Sequence, residues 1–353
     1  MLALPENTAK RGPWPVGHKN LQFGRFSNVE VFYPGQPGSE QGKETTKWDM
    51  RKFLPKNEQT KVPDAEATIV DAGAFADLPI DAAHGPYPAV ILVHGTAAFR
   101  LASVSSQTLW ASRGFVVMAA DHPGLWLADY LNCGGQIAGR LDIDSDVDSE
   151  IEALTMAQGE LAFLMGHVDM KRLALAGHSA GAYNVAQFST KPGVQMEVLL
   201  AGSRRVTPSQ TLKSVLYASG TDDSVLPYGP GGAGFGTILY PGSTVDAYNG
   251  TMGKKRLLGI EKGGHLTVTD LCRKNAKGQS SLMVAQSHGV CGVASITPLS
   301  DCATADPAAG IATVHDVVTA ALEETLQCQD RAAWITAAKS RHAVIRELRE
   351  ATQ

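Results

Sequence analysis

The sequence predicts an α/β protein built on a mostly parallel, doubly wound sheet with helices on both faces. Three observations carry this. Short apolar runs recur along the chain: PAVILVHG from Pro88, GFVVMAADHPG from Gly114, KRLALAGHSAG from Lys171, MEVLLAG from Met196, SVLYASG from Ser214 and KRLLGIEKGG from Lys255. Such runs mark strands covered on both faces. Segments of helical character alternate with them, which argues for parallel strands joined by crossovers. Every chemically suggestive motif falls at the C-terminal end of one of these runs, where open α/β sheets place their sites.

The elements follow in order. NLQFGRFSNVEVFYP, 20–34, alternates and is rich in Phe and Val, the pattern of a strand pair. A polar, Lys-rich connection from Gly35 to about Asp64 is expected on the surface, with Trp48 and Phe53 tucked against the body. A helix is expected around Ser103–Ser112. A longer one is expected over 145–166, SDVDSEIEALTMAQGELAFLMG, where acidic residues in the first turn favour the helix dipole. AYNVAQF continues as a helix after GHSAG, and VHDVVTAALEETLQ and RAAWITAAKSRHAVIRELREA close the chain as helices. There is no internal repeat. The expected organisation is a single domain over 1–353: N-terminal strands and surface excursion over 1–87, a core over 88–328 and a C-terminal helix over 329–353.

Composition sets limits on partners. The 353 residues are 44% hydrophobic and 19% charged, with a formal net charge of −4. That leaves no basic field for nucleic acid and no polybasic membrane patch. No apolar run is long enough to cross a bilayer. MLALPENTAKRGPWPVG lacks the charged, apolar and small-residue pattern of a secretory signal. The five cysteines, Cys133, Cys272, Cys291, Cys302 and Cys328, show no CxxC and no paired histidines at zinc spacing. Two disulfides among the last four, with Cys133 left over, suit a secreted or periplasmic protein whose signal is absent from this chain; buried thiols in a cytoplasmic protein are the alternative.

Gly177-His178-Ser179-Ala180-Gly181 fits G-x-S-x-G between a strand and a helix. A serine at such a turn projects its hydroxyl above the sheet, and the flanking glycines relieve collisions within the turn. Ser179 is therefore expected as a nucleophile. A tetrahedral intermediate needs two N–H donors. Ala180 supplies one, and Thr96, in the loop His94-Gly95-Thr96-Ala97-Ala98-Phe99 after PAVILV, supplies the other. His94 is expected to brace that loop rather than take protons.

Of ten histidines, His265 in GIEKGGHLTVTD is expected as the base, because it follows the last apolar run and two glycines let its loop swing over the sheet. His288 is the alternative. An acid must lie between nucleophile and base. GTDDSVLP, which follows SVLYASG, offers Asp222 and Asp223; Asp223 lies deeper over the sheet edge, and Asp222 is suited to capping the turn. Asp246 and Glu261 are less well placed.

GHSAG, HGTAAF, GTDDSVLP and GGH, in this order, resemble the α/β-hydrolase superfamily over roughly Val16 to Leu326. Within it, GPWPVGHKNLQF, EVFYP and the segment from PAVILVHG to DHPG resemble the platelet-activating-factor acetylhydrolase group, which shares features with bacterial dienelactone-hydrolase-like and polyester esterases. The resemblance implies an α/β-hydrolase fold and a serine esterase with no metal or organic cofactor. In the animal acetylhydrolases the acid follows the strand after the nucleophile's helix. Here that position reads LLAGSRRV, so the acid moves one strand on, as in the bacterial esterases. The amidase or peptidase, the carbon–carbon hydrolase and the non-catalytic binding protein remain alternatives on the same scaffold.

Only about a dozen residues separate LLAG from SVLYASG, too few for a large cap there. Pocket walls are expected from GLWLADYLNCGGQIAG, with Trp126 and Tyr130, and from YGPGGAGFGTILYPG, with Tyr228 and Phe235; Phe99 and His178 complete the expected substrate contacts. The expected site is open, apolar and shallow. It would take short-acyl, polyester-like or phospholipid-like esters on a monomer or small homo-oligomer.

Overall fold

The computed structural model describes residues 2–131, 142–232, 234–238, 240–275, 277–296, 301–302 and 306–352. The strands are β1 (Val16–Phe23), β2 (Phe26–Pro34), β3 (Lys47–Asp49), β4 (Ile69–Asp71), β5 (Ala74–Ala76), β6 (Tyr87–Val93), β7 (Val116–Ala120), β8 (Val168–His178), β9 (Val194–Leu200), β10 (Ser214–Gly220), β11 (Lys255–Ile260) and β12 (Ile345–Ala351). Ten form one sheet in the order β12-β11-β10-β9-β8-β6-β7-β2-β1-β5, and β3 pairs with β4 apart from it. From β7 through β11 the pairing is parallel; β2 on β7, β1 on β2 and β12 on β11 are antiparallel.

The helices are α1 (Val104–Ser112), α2 (Leu127–Tyr130), α3 (Ile143–Met156), α4 (Ala180–Val185), α5 (Thr244–Gly250), α6 (Ser281–Ser287), α7 (Val293–Ile296), α8 (Pro307–Leu326), α9 (Ala332–Thr336) and α10 (Ala338–Arg341). They cover both faces, as the fully buried central runs require. On one face Val147 and Leu154 of α3, Val185 of α4 and Tyr248 of α5 pack against Ile91, Leu175 and Tyr217. On the other, Trp110 of α1 and Val314, Val317 and Ala321 of α8 pack against Val90, Ala174 and Val198. Residues adjacent along a strand thus feed opposite cores, which is why the strands read as unbroken apolar runs.

Three sequence expectations need correction. The chain does not end as a helix. After α9 and α10, IRELREA forms β12 along the open edge of β11. Arg, Glu and Leu favour helix in isolation, but pairing with an exposed edge overrides that weak preference. The charges then serve the edge: buried Arg256 meets Glu350 at 3.0 Å and Glu324 at 2.7 Å. The helix expected over 145–166 stops at Met156, where Ala157 takes a left-handed φ of 45° and closes it. Two disulfides among the last four cysteines are excluded, because Cys328 is a free, exposed thiol. It lies just past α8 beside Ser214 and Lys254, at the strand starts, away from Cys272–Cys302, which are bonded. Cys133 lies outside the described residues.

Candidate active site

The strand ends β8, β10 and β11 bring three sequence-distant side chains together. Ser179 follows β8 with φ 54° and ψ −118°, a conformation that L-residues adopt only under constraint, at a cost of about 1–3 kcal/mol. The constraint is visible in its neighbours. A Cβ on Gly177 would lie 2.4 Å from the Gly181 carbonyl carbon, and one on Gly181 would lie 2.2 Å from the Val93 carbonyl oxygen. Both are collisions with backbone, which cannot step aside. The glycine spacing is therefore a packing requirement of the turn.

The Ser179 hydroxyl lies 2.8 Å from His265 Nε2, and His265 Nδ1 lies 2.9 Å from Asp223 Oδ2. A carboxylate has only acceptors to offer, so Nδ1 carries the proton and Nε2 presents its lone pair to the serine. The other oxygen, Asp223 Oδ1, accepts the N–H groups of Val225 and Leu226 at 2.8 Å each. This carboxylate is thus held at both ends. Ser179, Asp223 and His265 are all buried. Asp222 differs from its neighbour: its side chain is exposed and, among the described residues, accepts only from Thr221, while its N–H donates to Gly263 O. The backbone of the DD pair secures the His265 loop, and one side chain of the two reaches the imidazole.

Asp301, which carried no signal in the sequence, links the loops that carry Asp223 and His265. Its carboxylate accepts the Ser224 N–H at 2.9 Å and the Ser224 hydroxyl at 2.6 Å, and its carbonyl accepts the Leu266 N–H at 2.8 Å. Gly264 lets it approach, since a Cβ there would sit 2.2 Å from Asp301 Oδ1.

Thr96 and Ala180 flank the serine from two loops. Ala180 opens α4, so its N–H has no acceptor within the helix. In the loop after β6, Ala97 N–H donates to Leu125 O and Ala98 N–H to Gly95 O, whereas Thr96 N–H has no acceptor among the described residues. His94 fastens this loop, with Nδ1 on Gly95 O at 2.8 Å and Nε2 accepting from His122 N–H at 3.1 Å. Burial, with the neighbouring His122, lowers its pKa to about 3, so the ring is neutral. Gly95 is needed for space rather than for a special φ: a Cβ there would lie 2.8 Å from His178 Nδ1.

A cavity of about 140 Å³ opens from Ser179 and His265. Phe99, Leu101 and Val104 line one wall, and Leu127 and Leu131 another. Its far wall comes from segments the sequence did not connect to the site: Met50, Leu54, Val62 and Val70 from the N-terminal excursion, and Leu271, Val284, Val293 and Ile296 from the stretch after the base. Polar links join these two segments. Ser281 donates to Thr68 at 2.9 Å, Glu66 meets Lys277 at 2.8 Å and His288 at 2.9 Å, and Glu58 accepts Cys291 N–H at 2.7 Å. The Cys272–Cys302 disulfide closes the second segment on itself. The shallow open site is therefore corrected to a walled apolar pocket.

Of the expected wall residues, Phe99 and His178 line the cavity; Phe99 also stacks on Phe53 at 4.0 Å between centroids. Trp126 and Tyr130 pack instead into the adjoining cores, and their neighbours Leu127 and Leu131 face the cavity. Tyr228 is buried away from it, with its hydroxyl on Glu347 at 2.6 Å. Phe235 begins a short helical turn, and its side chain lies outside the described residues, as does the loop over 132–139. His288, weighed against His265 as base, pairs with Glu66 on the far wall. Among the described residues no His, Cys, Asp and Glu cluster suits a metal ion, and no helix is long and apolar enough to cross a membrane.

No protein-family model and no curated protein matches the chain. Among solved structures, a ferulic acid esterase from Streptomyces cinnamoneus matches with a TM-score of 0.56, over 91% of this chain and 92% of that one, at 21% identity. The two chains are similar in overall fold.

Proposed function

We propose that this chain is a serine carboxylic ester hydrolase of the α/β-hydrolase type. The observation that carries the proposal is the unbroken contact from Ser179 Oγ through His265 to Asp223, whose carboxylate is fixed by two backbone N–H groups. The serine hydroxyl attacks the ester carbonyl while His265 Nε2 takes its proton. Asp223 stabilises the resulting imidazolium. The Thr96 and Ala180 amides receive the negative charge on the carbonyl oxygen. The tetrahedral intermediate expels the alcohol, which takes the proton back from His265, leaving an acyl ester on Ser179. Water, deprotonated by the same imidazole, then releases the acid and restores the serine.

The walled cavity suits an apolar acyl group, and its lining favours aliphatic or aryl acyl esters over highly charged ones. Polyester segments and phospholipid-like esters are the finer alternatives that the motif resemblance suggests. The amidase, the carbon–carbon hydrolase and the non-catalytic binding protein are tested by the same experiment. A series of p-nitrophenyl acyl esters, a dipeptide amide and a diketone are offered to the wild type and to Ser179→Ala. Ester turnover that vanishes in the variant supports the proposal; ester binding without turnover, or turnover of the amide or diketone alone, overturns it. The Cys272–Cys302 disulfide fits a secreted or periplasmic location.

A further inference from the structure

Between the glycine and the serine of the turn stands His178, and its ring is tied to the base rather than to solvent. His178 Nε2 lies 3.0 Å from the backbone carbonyl of His265. That oxygen only accepts, so Nε2 carries the proton and Nδ1 is a bare lone pair. Burial and the adjacent His265 hold the pKa at about 3, so the ring stays neutral and this tautomer is fixed. Nδ1 has no hydrogen-bond partner among the described residues; it lies against Gly95, where a Cβ would come within 2.8 Å. The ring also lies 4.9 Å from the His265 ring, centroid to centroid.

These contacts place one buried imidazole between three parts of the proposed hydrolytic site: the nucleophile's turn, the oxyanion loop and the base loop. The base loop needs such an anchor. Gly263 and Gly264 precede His265, and its side chain must stay within hydrogen-bond reach of Ser179 and Asp223 simultaneously. Its backbone is held elsewhere by Asp222 N–H on Gly263 O, Leu266 N–H on Asp301 O and Gly264 N–H on Thr267 Oγ1, none of which reaches the His265 carbonyl.

We propose that His178 is a positioning residue for the hydrolysis proposed above, holding the His265 backbone so that Nε2 stays aligned on Ser179 Oγ. It transfers no proton and takes no charge. Its removal leaves the cavity open to substrate but lets the base drift, so the loss falls on kcat and not on KM.

The test compares three variants with p-nitrophenyl butyrate. His178→Gln keeps an N–H at about the reach of Nε2. His178→Asn places its amide near the Nδ1 position, too short to meet the His265 carbonyl. His178→Phe keeps ring volume and removes the donor. The expected result is a kcat fall of about 10–30-fold for the Asn and Phe variants, with KM within about threefold, and recovery to within about threefold of wild type for Gln. Melting temperatures and fluorophosphonate labelling rates are measured alongside; labelling should fall with kcat. If the Phe variant does not fold, the Gln and Asn pair decides. Equal activity in Gln and Asn, whether both retained or both lost, overturns the proposal, as does a loss that follows melting temperature alone. A wild type that neither turns over the ester nor labels refutes ester hydrolysis itself, and the positioning role with it.

Discussion

Two buried imidazole–carboxylate pairs stand at the C-terminal edge of the sheet, and only one of them faces a strained serine. His265, after β11, joins Asp223 at 2.9 Å and Ser179 at 2.8 Å and opens on the cavity. His122, after β7, joins Asp146 at 3.3 Å, and its Nε2 has no hydrogen-bond partner among the described residues; Glu150 Oε2 lies 3.8 Å away. A carboxylate beside a histidine is common in this chain, recurring at His18–Glu30, His84–Asp81 and His342–Asp316. What separates the first pair from the rest is the strained serine that Gly177 and Gly181 permit, 2.8 Å from the imidazole. In the proposed mechanism the pair would supply a proton acceptor and the turn the group to deprotonate.

The variants that break this contrast differ in what they should cost. Asp223→Asn leaves the shape but lets the imidazole take the wrong tautomer, so kcat should fall by about 10⁴-fold with the fold intact, measured by ester hydrolysis and circular dichroism. Asp146→Asn should act on stability alone. It strips buried His122 and exposed Arg25 of a shared partner, and a melting experiment should show a loss of about 2–3 kcal/mol, most of it from His122, with kcat per folded molecule unchanged. A fall in kcat as large as that of Asp223→Asn would erase the distinction.

The second pair also has a pH signature. Burial raises the Glu150 pKa to about 7. Burial opposes charge on His122, but Glu150, Asp146 and Asp121 outweigh it and raise that pKa too. A group whose folded pKa is raised contributes stability that is complete below its unfolded value and lost as pH rises through the folded one. Glu150 should therefore cost stability progressively from about pH 4.5 to about pH 7. Glu150→Gln should flatten the melting-temperature profile across that window; an unchanged slope would refute the assignment. The smallest effect belongs to Asp222→Asn, whose exposed side chain should leave kcat within about twofold of wild type.

How much of this was legible depends on the range of the interactions. The turn around Ser179 is written in five consecutive residues, because its collisions are between backbone atoms a few positions apart. The meeting of Asp223 and His265 at that turn follows from the order of apolar runs, since each strand end can present only the residues next to it. The cavity's far wall had no such signal. Met50–Val70 and Leu271–Ile296 carry no common periodicity, and only the folded chain brings them together over Phe99. The closing strand misled for the same reason. IRELREA has helix-forming composition, and the partner that makes it a strand lies about ninety residues earlier at β11. Cysteine pairing likewise depends on distance in space: Cys272 and Cys302 come within 5.7 Å at Cα, while Cys328 sits at the strand starts beside Ser214 and Lys254.

The most direct measurement is covalent. The folded protein is treated with a fluorophosphonate probe, digested, and the modified peptide identified by mass spectrometry, with Ser179→Ala and Asp146→Asn treated in parallel. The expected result is a single adduct on Ser179, absent from the Ala variant and formed at the wild-type rate in the Asn variant. No adduct on the folded wild type, or an adduct on another serine that persists in Ser179→Ala, would contradict it.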